Sequence, residues 1–206
     1  MILFRPVGLE ELRLVYEAGM KAFPPRLPEQ PIFYPVTNAA YARQIARDWN
    51  TKSGTLAGFV TRFSVDDEYV RKFDRRVVGG AQHEELWVPA EELAEFNSHI
   101  VAAIEVTEAY FGPGYCGLVP DSFGLEGKTA HEQFVALVAT SRYSGMDFMC
   151  EMAANQVAVF LNFFFWQQES FAKDGIPDAE RDVLLGKFKA VWAGSPRAAP
   201  LGVVGP

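Results

Sequence analysis

Cysteine and histidine are scarce in this 206-residue chain, which carries Cys116 and Cys150, and His83, His99 and His131. Neither pair of thiols nor any histidine set has metal-ligand spacing, so a structural zinc centre and a disulfide framework are both excluded. Positive charge is also in deficit: 19 Lys and Arg against 26 Asp and Glu leave a net charge of -7, the opposite of what a phosphate-binding nucleic-acid face requires. Long apolar runs are missing. The most apolar stretch, Val157 to Trp166, is interrupted by Asn162 and preceded by Asn155 and Gln156, short of the roughly 18 residues needed to cross a bilayer. The beginning, Met1-Ile2-Leu3-Phe4-Arg5, has no basic segment leading into an apolar run, so the expectation is a cytoplasmic chain with reduced thiols, no nucleic-acid partner and no membrane partner. A phosphate loop is missing too, because Ser122 stands where the pattern ending in Gly127-Lys128-Thr129 needs glycine. That tripeptide reads as the start of a helix.

What is present is the composition of a folded protein, 49% hydrophobic and 22% charged. Ile2-Leu3-Phe4 reads as a strand broken by Pro6, and Leu9, Leu12, Val15 and Tyr16 recur at helical spacing. Phe23 to Pro31 holds four prolines and must be extended or looped. Ile32-Phe33-Tyr34 reads as a strand, and Asn38 as the cap of a helix with Tyr41, Ala42, Ile45, Ala46 and Trp49 on one face. Gly58 to Val65 alternates apolar and polar residues over its second half and reads as a third, half-buried strand. The acidic run Asp66 to Glu68 opens a short helix with Tyr69, Val70 and Phe73. A strand follows the Gly79-Gly80 break and ends at Pro89, a helix runs from Pro89 to Phe96, and a last strand runs from Ile100 to Val106. Gly112-Pro113-Gly114 marks a boundary between an α+β domain, residues 1–112, and a helical extension, residues 113–206. Within the extension the expected elements are a helix from Thr129 with Phe134, Leu137 and Val138, a long all-round apolar helix from Met146 to Phe171, and an amphipathic helix, Asp178 to Trp192, ahead of a loose tail from Ser195.

The most informative motif is His83-Glu84-Glu85-Leu86-Trp87-Val88-Pro89, a carboxylate pair running into an apolar strand that a proline must end or edge. It resembles the catalytic-glutamate strand of ADP-ribosyltransferases. The order of elements before it resembles that family as well: Leu3-Phe4-Arg5 on a first strand, then Tyr34-Pro35-Val36-Thr37 followed by a helix, then Glu85. Segments Phe23 to Val36 and Glu85 to Leu93 also look like those of small bacterial proteins labelled "ADP-ribosylation/crystallin J1". His83 stands where many of these enzymes have Glu or Gln two residues before the catalytic glutamate, and their serine-threonine-serine run is missing.

The resemblance implies an ADP-ribosyltransferase-like small mixed sheet, with NAD as cofactor-substrate and an unidentified acceptor, or hydrolysis of NAD. Glu85 would stabilise the positive charge that builds on the ribose as the nicotinamide bond breaks. Thr37 would orient Glu85, with Thr61 as a rival for that role. Arg5 would hold the pyrophosphate through its planar fork, and Tyr34 and His83 complete the cofactor-binding set. On this reading Arg5 and Glu85 converge on one pocket containing Tyr34 or Thr37. The alternative is a non-catalytic interaction or structural protein that keeps the fold and binds through the aromatic helix, where Phe160, Phe163, Phe164, Phe165 and Trp166 crowd together and offer an interface for a homo-oligomer.

Overall fold

A computed structural model describes residues 1–80, 82–121, 123–194 and 199–202. The fold is α+β, and the chain divides between Pro113 and Gly114 into two compact units.

Unit 1 begins with strand β1 (Ile2–Val7) and helix α1 (Leu9–Glu17), followed by the proline-rich connection and strand β2 (Ile32–Phe33). Helix α2 (Ala39–Asp48) is capped by Asn38, whose side chain accepts from the amides of Ala40 and Tyr41. Strand β3 (Ala57–Ser64), helix α3 (Asp67–Val70), strand β4 (Asp74–Val77), strand β5 (Glu84–Pro89), helix α4 (Leu93–Ser98) and strand β6 (Glu105–Phe111) complete it. Two three-stranded antiparallel sheets form, in the orders β1-β3-β6 and β2-β5-β4. They meet at Val36, which bridges Phe4 of β1 on one side and Glu85 of β5 on the other.

Pro6 explains why the sheets separate beyond that point. Val36 and Phe4 exchange both backbone hydrogen bonds, at 2.8 and 2.9 Å. The next pair of that kind would join Tyr34 to Pro6, and proline has no amide hydrogen to donate. The Tyr34 carbonyl instead accepts from the Arg5 guanidinium at 3.2 Å. Pro6 is thus accommodated within β1, where the sequence reading ended the strand, because its nitrogen faces the split between the sheets.

Both faces of β3 are covered. Val60 packs with Val36, Tyr41, Ala42 and Ala46 under α2. On the opposite face Phe59, Phe63, Leu3, Val7, Phe33, Leu86, Val88 and Phe96 are all buried, which is why the strand is enclosed rather than half-buried as its alternation suggested. Three further expectations are corrected. Trp49 lies past the end of α2 and is 54% exposed. The helix after Pro89 opens as a short 3-10 turn, Ala90–Glu92, before α4. The last strand lies at Glu105–Phe111, so that of the segment where it was expected Glu105 and Val106 belong to it, and Ile100 makes an isolated bridge to Val65.

Unit 2 contains helices α5 (Ala130–Tyr143), α6 (Gly145–Ala154), α7 (Gln156–Trp166) and α8 (Asp178–Trp192). Thr129 and Glu132 form a reciprocal capping box at the start of α5. The single long apolar helix expected from Met146 to Phe171 is broken at Asn155 into α6 and α7, which meet at a 102° bend. The Asn155 side chain donates to the carbonyl oxygens of Glu151 and Phe123, at 2.9 and 2.8 Å, a local competition with helix continuation typical of asparagine. Among the described residues no single helix is long and apolar enough to cross a membrane.

The aromatic stretch of α7 is interior. Phe160, Phe163, Phe164 and Trp166 are each no more than 2% exposed, and Trp166 meets Phe134 of α5 and Phe188 of α8 at ring separations of 5.8 and 5.9 Å. Those four rings are therefore engaged in packing. The tail expected to be loose starts at Ser195, and residues 195–198 and 203–206 lie outside the described residues.

Candidate functional site

The alternation of β5 sends Leu86 and Val88 into the core and turns Glu85 and Trp87 toward the α2 side. There Glu85 accepts hydrogen bonds through both oxygens, from the Tyr41 hydroxyl at 3.1 Å and from the Trp87 indole nitrogen at 3.3 Å. Burial, reinforced by the Glu85 charge and this hydrogen bond, pushes the Tyr41 hydroxyl up to about 12, so it stays a donor at neutral pH. The Tyr41 ring lies parallel to His83 at 4.2 Å, and His83 Nε2 sits 3.2 Å from Gln44 Oε1. Tyr34 meets the edge of Trp87 at 5.3 Å. Arg76, opposite Glu85 in the β4–β5 ladder, lays its guanidinium 3.9 Å over the Trp87 ring. Glu85, Tyr34 and His83 are thus brought together, with Tyr41, Trp87 and Arg76 as members that sequence reasoning did not single out.

The side chains of Arg5 and Thr37 do not join theirs, and Arg5 reaches Tyr34 only at its backbone carbonyl. Phe4, Val36 and Glu85 are directly opposed across their ladders, so their side chains share one face. Arg5, one residue on from Phe4, leaves by the other. It pairs there with Glu11 of α1 through two bonds, Nε to Oε1 at 2.7 Å and an η-nitrogen to Oε2 at 3.1 Å. Its carbon Cζ lies 4.7 Å from the Phe33 ring centre. The Thr37 amide donates to the Glu84 carbonyl at 3.2 Å, which sets Thr37 opposite Glu84 and out of phase with Glu85. Thr61 is buried, and its hydroxyl donates to the Arg5 carbonyl at 2.8 Å. The expected convergence of Arg5 and Glu85 is corrected on these grounds: strand register places them on opposite faces.

Arg5 lines a different concavity, of about 340 Å3, which opens where Pro6 ends the pairing between the sheets. Its wall comprises Arg5, Pro6, Gly8, Glu11, Arg26, Gln30, Asn50, Ser53, Gly54 and Ala57. Arg26 comes from the proline-rich connection and is anchored by its Nε, which donates to the Ile32 carbonyl at 3.2 Å. It makes no ion pair with a carboxylate among the described residues. Burial, and after it the neighbouring charge of Arg5, hold its guanidinium below the ordinary arginine value. Gly8 caps α1 without a side chain to satisfy the first amides of the helix. The sequence signal for this cleft was an arginine within a rigid, proline-rich loop, the kind of segment that places functional side chains on a scaffold.

Among the described residues no three or more His, Cys, Asp or Glu side chains gather as metal ligands would. Comparison of the chain with protein-family models, with curated proteins and with solved structures returns no match.

Proposed function

We propose that unit 1 is an ADP-ribosyltransferase-like domain acting as a small-molecule-binding module, without transfer of ADP-ribose from NAD. The observation that carries this reading is the position of Arg5: its guanidinium is clamped by Glu11 on the face opposite Glu85. A transferase needs the group that holds the dinucleotide and the carboxylate that stabilises the ribosyl cation to act on one substrate in one geometry, since misplacement by even an ångström is costly. Glu85 is instead engaged by Tyr41 and Trp87 and overlooked by Arg76. The order of Arg5, Tyr34 and Glu85 along the chain is the basis for keeping the family likeness of the fold.

The test is release of nicotinamide from NAD, followed by chromatography, for the parent protein and for Glu85→Gln. Release by both should stay at the level of buffer. Turnover by the parent that Glu85→Gln abolishes, with NAD affinity held within a few-fold, would establish transferase or glycohydrolase chemistry at Glu85 and overturn the proposal.

A further inference from the structure

We infer that the cleft between Arg5 and Arg26 is a binding site for a phosphate ester, with Arg26 as its principal ligand. The inference rests on the binding-module reading and supplies its ligand class.

The charges in the cleft do not balance. Arg5 and Glu11 neutralise each other through their two hydrogen bonds, leaving Arg26 as a half-buried cation with no carboxylate partner among the described residues. A guanidinium held in this way next to a second one is stabilised by an anion, and more so than an exposed arginine would be, because less water competes. Among the described residues only its Nε is engaged, with the Ile32 carbonyl, so the two terminal nitrogens keep a fork that matches a pair of oxygens.

The other groups on the wall argue for phosphate rather than carboxylate. Gln30 and Asn50 bring neutral amide groups to the same wall, suited to the further oxygens that a tetrahedral anion has and a carboxylate lacks, while the Ser53 hydroxyl donates to the Trp49 carbonyl. The start of α1 adds partial positive charge at Gly8, in the wall itself. A volume of about 340 Å3 exceeds what an inorganic phosphate fills and stands at the lower end of the roughly 300–1,000 Å3 range of small-molecule sites. That leaves room for a compact esterified group such as a single sugar. Arg5 acts as a positioning residue: clamped by Glu11 and bonded to the Tyr34 carbonyl, it holds the cleft open where the sheets part.

Calorimetric titration of the full chain with ribose 5-phosphate, adenosine 5′-monophosphate and inorganic phosphate tests this at low ionic strength. We expect one or both esters to bind more tightly than inorganic phosphate, with affinity falling as salt is added. Arg26→Ala should lower ester affinity about tenfold or more, and Arg26→Lys, which keeps charge and loses the fork, should fall between. Arg13→Ala removes a positive charge from the exposed side of α1, where Arg13 pairs with Glu10 and Glu17, and should bind as the parent does. Each variant is melted by circular dichroism, and Arg26→Lys carries the test if Arg26→Ala does not fold. Equal binding by parent and a folded Arg26 variant overturns the inference, as does the absence of heat with either ester at millimolar concentration. Inorganic phosphate binding as well as the esters overturns the ester assignment. Nicotinamide release together with Arg26-dependent ester binding would sink the non-catalytic reading and leave this site standing.

Discussion

Asn162 offers the sharpest test of how unit 2 is held together. It is fully buried in α7, where its Nδ2 donates to the Leu118 carbonyl at 3.0 Å and to Gln133 Oε1 at 2.9 Å, while its Oδ1 accepts from the Leu118 amide at 3.0 Å. Gln133 in turn donates to the carbonyls of Leu118 and Lys128, at 2.8 and 2.7 Å. One amide thus ties the loop after Gly117 to two helices. Asn162→Asp keeps the shape and creates no cavity, but replaces a donor that serves two acceptors by a carboxylate facing them. Breaking a buried charge-sensitive network in this way costs about 3–5 kcal/mol, against total stabilities of roughly 5–15 kcal/mol for natural domains. The variant has a second signature. In the folded state the introduced acid is desolvated and faces two acceptors, so its pKa is raised above the unfolded value of about 4. A carboxyl raised on folding is more stabilising in its protonated form, so the deficit relative to the parent should shrink as pH falls, by about 1.4 kcal/mol per pH unit. Urea unfolding of both proteins at pH 7 and pH 5, followed by circular dichroism, reads both quantities. A deficit below about 1 kcal/mol at pH 7, or one that does not change between the two pH values, would refute the network's role.

Two further outcomes follow from unit 1. A methyl group added at Gly58 would overlap the backbone carbonyl of Ala46, so Gly58→Ala should force α2 away from β3 and cost about 1–3 kcal/mol or more; an unchanged melting temperature would contradict that close approach. The Tyr41 hydroxyl, raised to about 12 by burial first and Glu85 second, should resist ionisation in an ultraviolet titration. The stability it confers is complete below the unfolded tyrosine value of about 10 and is lost as pH rises from there to about 12; Glu85→Gln should lower the Tyr41 midpoint without restoring the ordinary value, because burial remains, and an unshifted midpoint would remove Glu85 as a cause.

Elements with chemical punctuation were legible in the sequence. Asn38 announces α2, Thr129 ahead of Phe134, Leu137 and Val138 announces α5, and the apolar spacing of Leu184, Leu185, Phe188, Val191 and Trp192 announces α8. The Gly112-Pro113-Gly114 break coincides with the division into two units. Strand β4 was invisible because Asp-Arg-Arg-Val is exposed along its whole length and shows no alternation. The break at Asn155 was missed because hydropathy averages over one residue whose side chain competes for backbone carbonyls. The candidate site divides in the same way. Alternation within β5 is readable from sequence and puts Glu85 beside Trp87. Whether Arg5 joins them depends on the register between β1, Val36 and β5, and a shift of one residue exchanges the faces. That register is fixed by long-range pairing, to which no local pattern points. Arg26 escaped notice because a loop has no periodicity to mark which side chain turns inward.

The seam at Val36 makes unit 1 a jointed structure. Two sheets sharing a full strand would be welded along a ladder, and any distortion would break many bonds together. Here the pairing of Val36 with Phe4 is flanked by a proline that cannot extend it, so the two halves of the unit are held to each other chiefly by shared side-chain packing, with Phe33 of one sheet and Phe63 of the other both meeting Phe23 and Phe96. The Val36 amide, which donates to the Phe4 carbonyl, is the natural reporter of that seam, since its exchange with solvent requires the seam to open, whereas amides within β3 require a sheet to come apart.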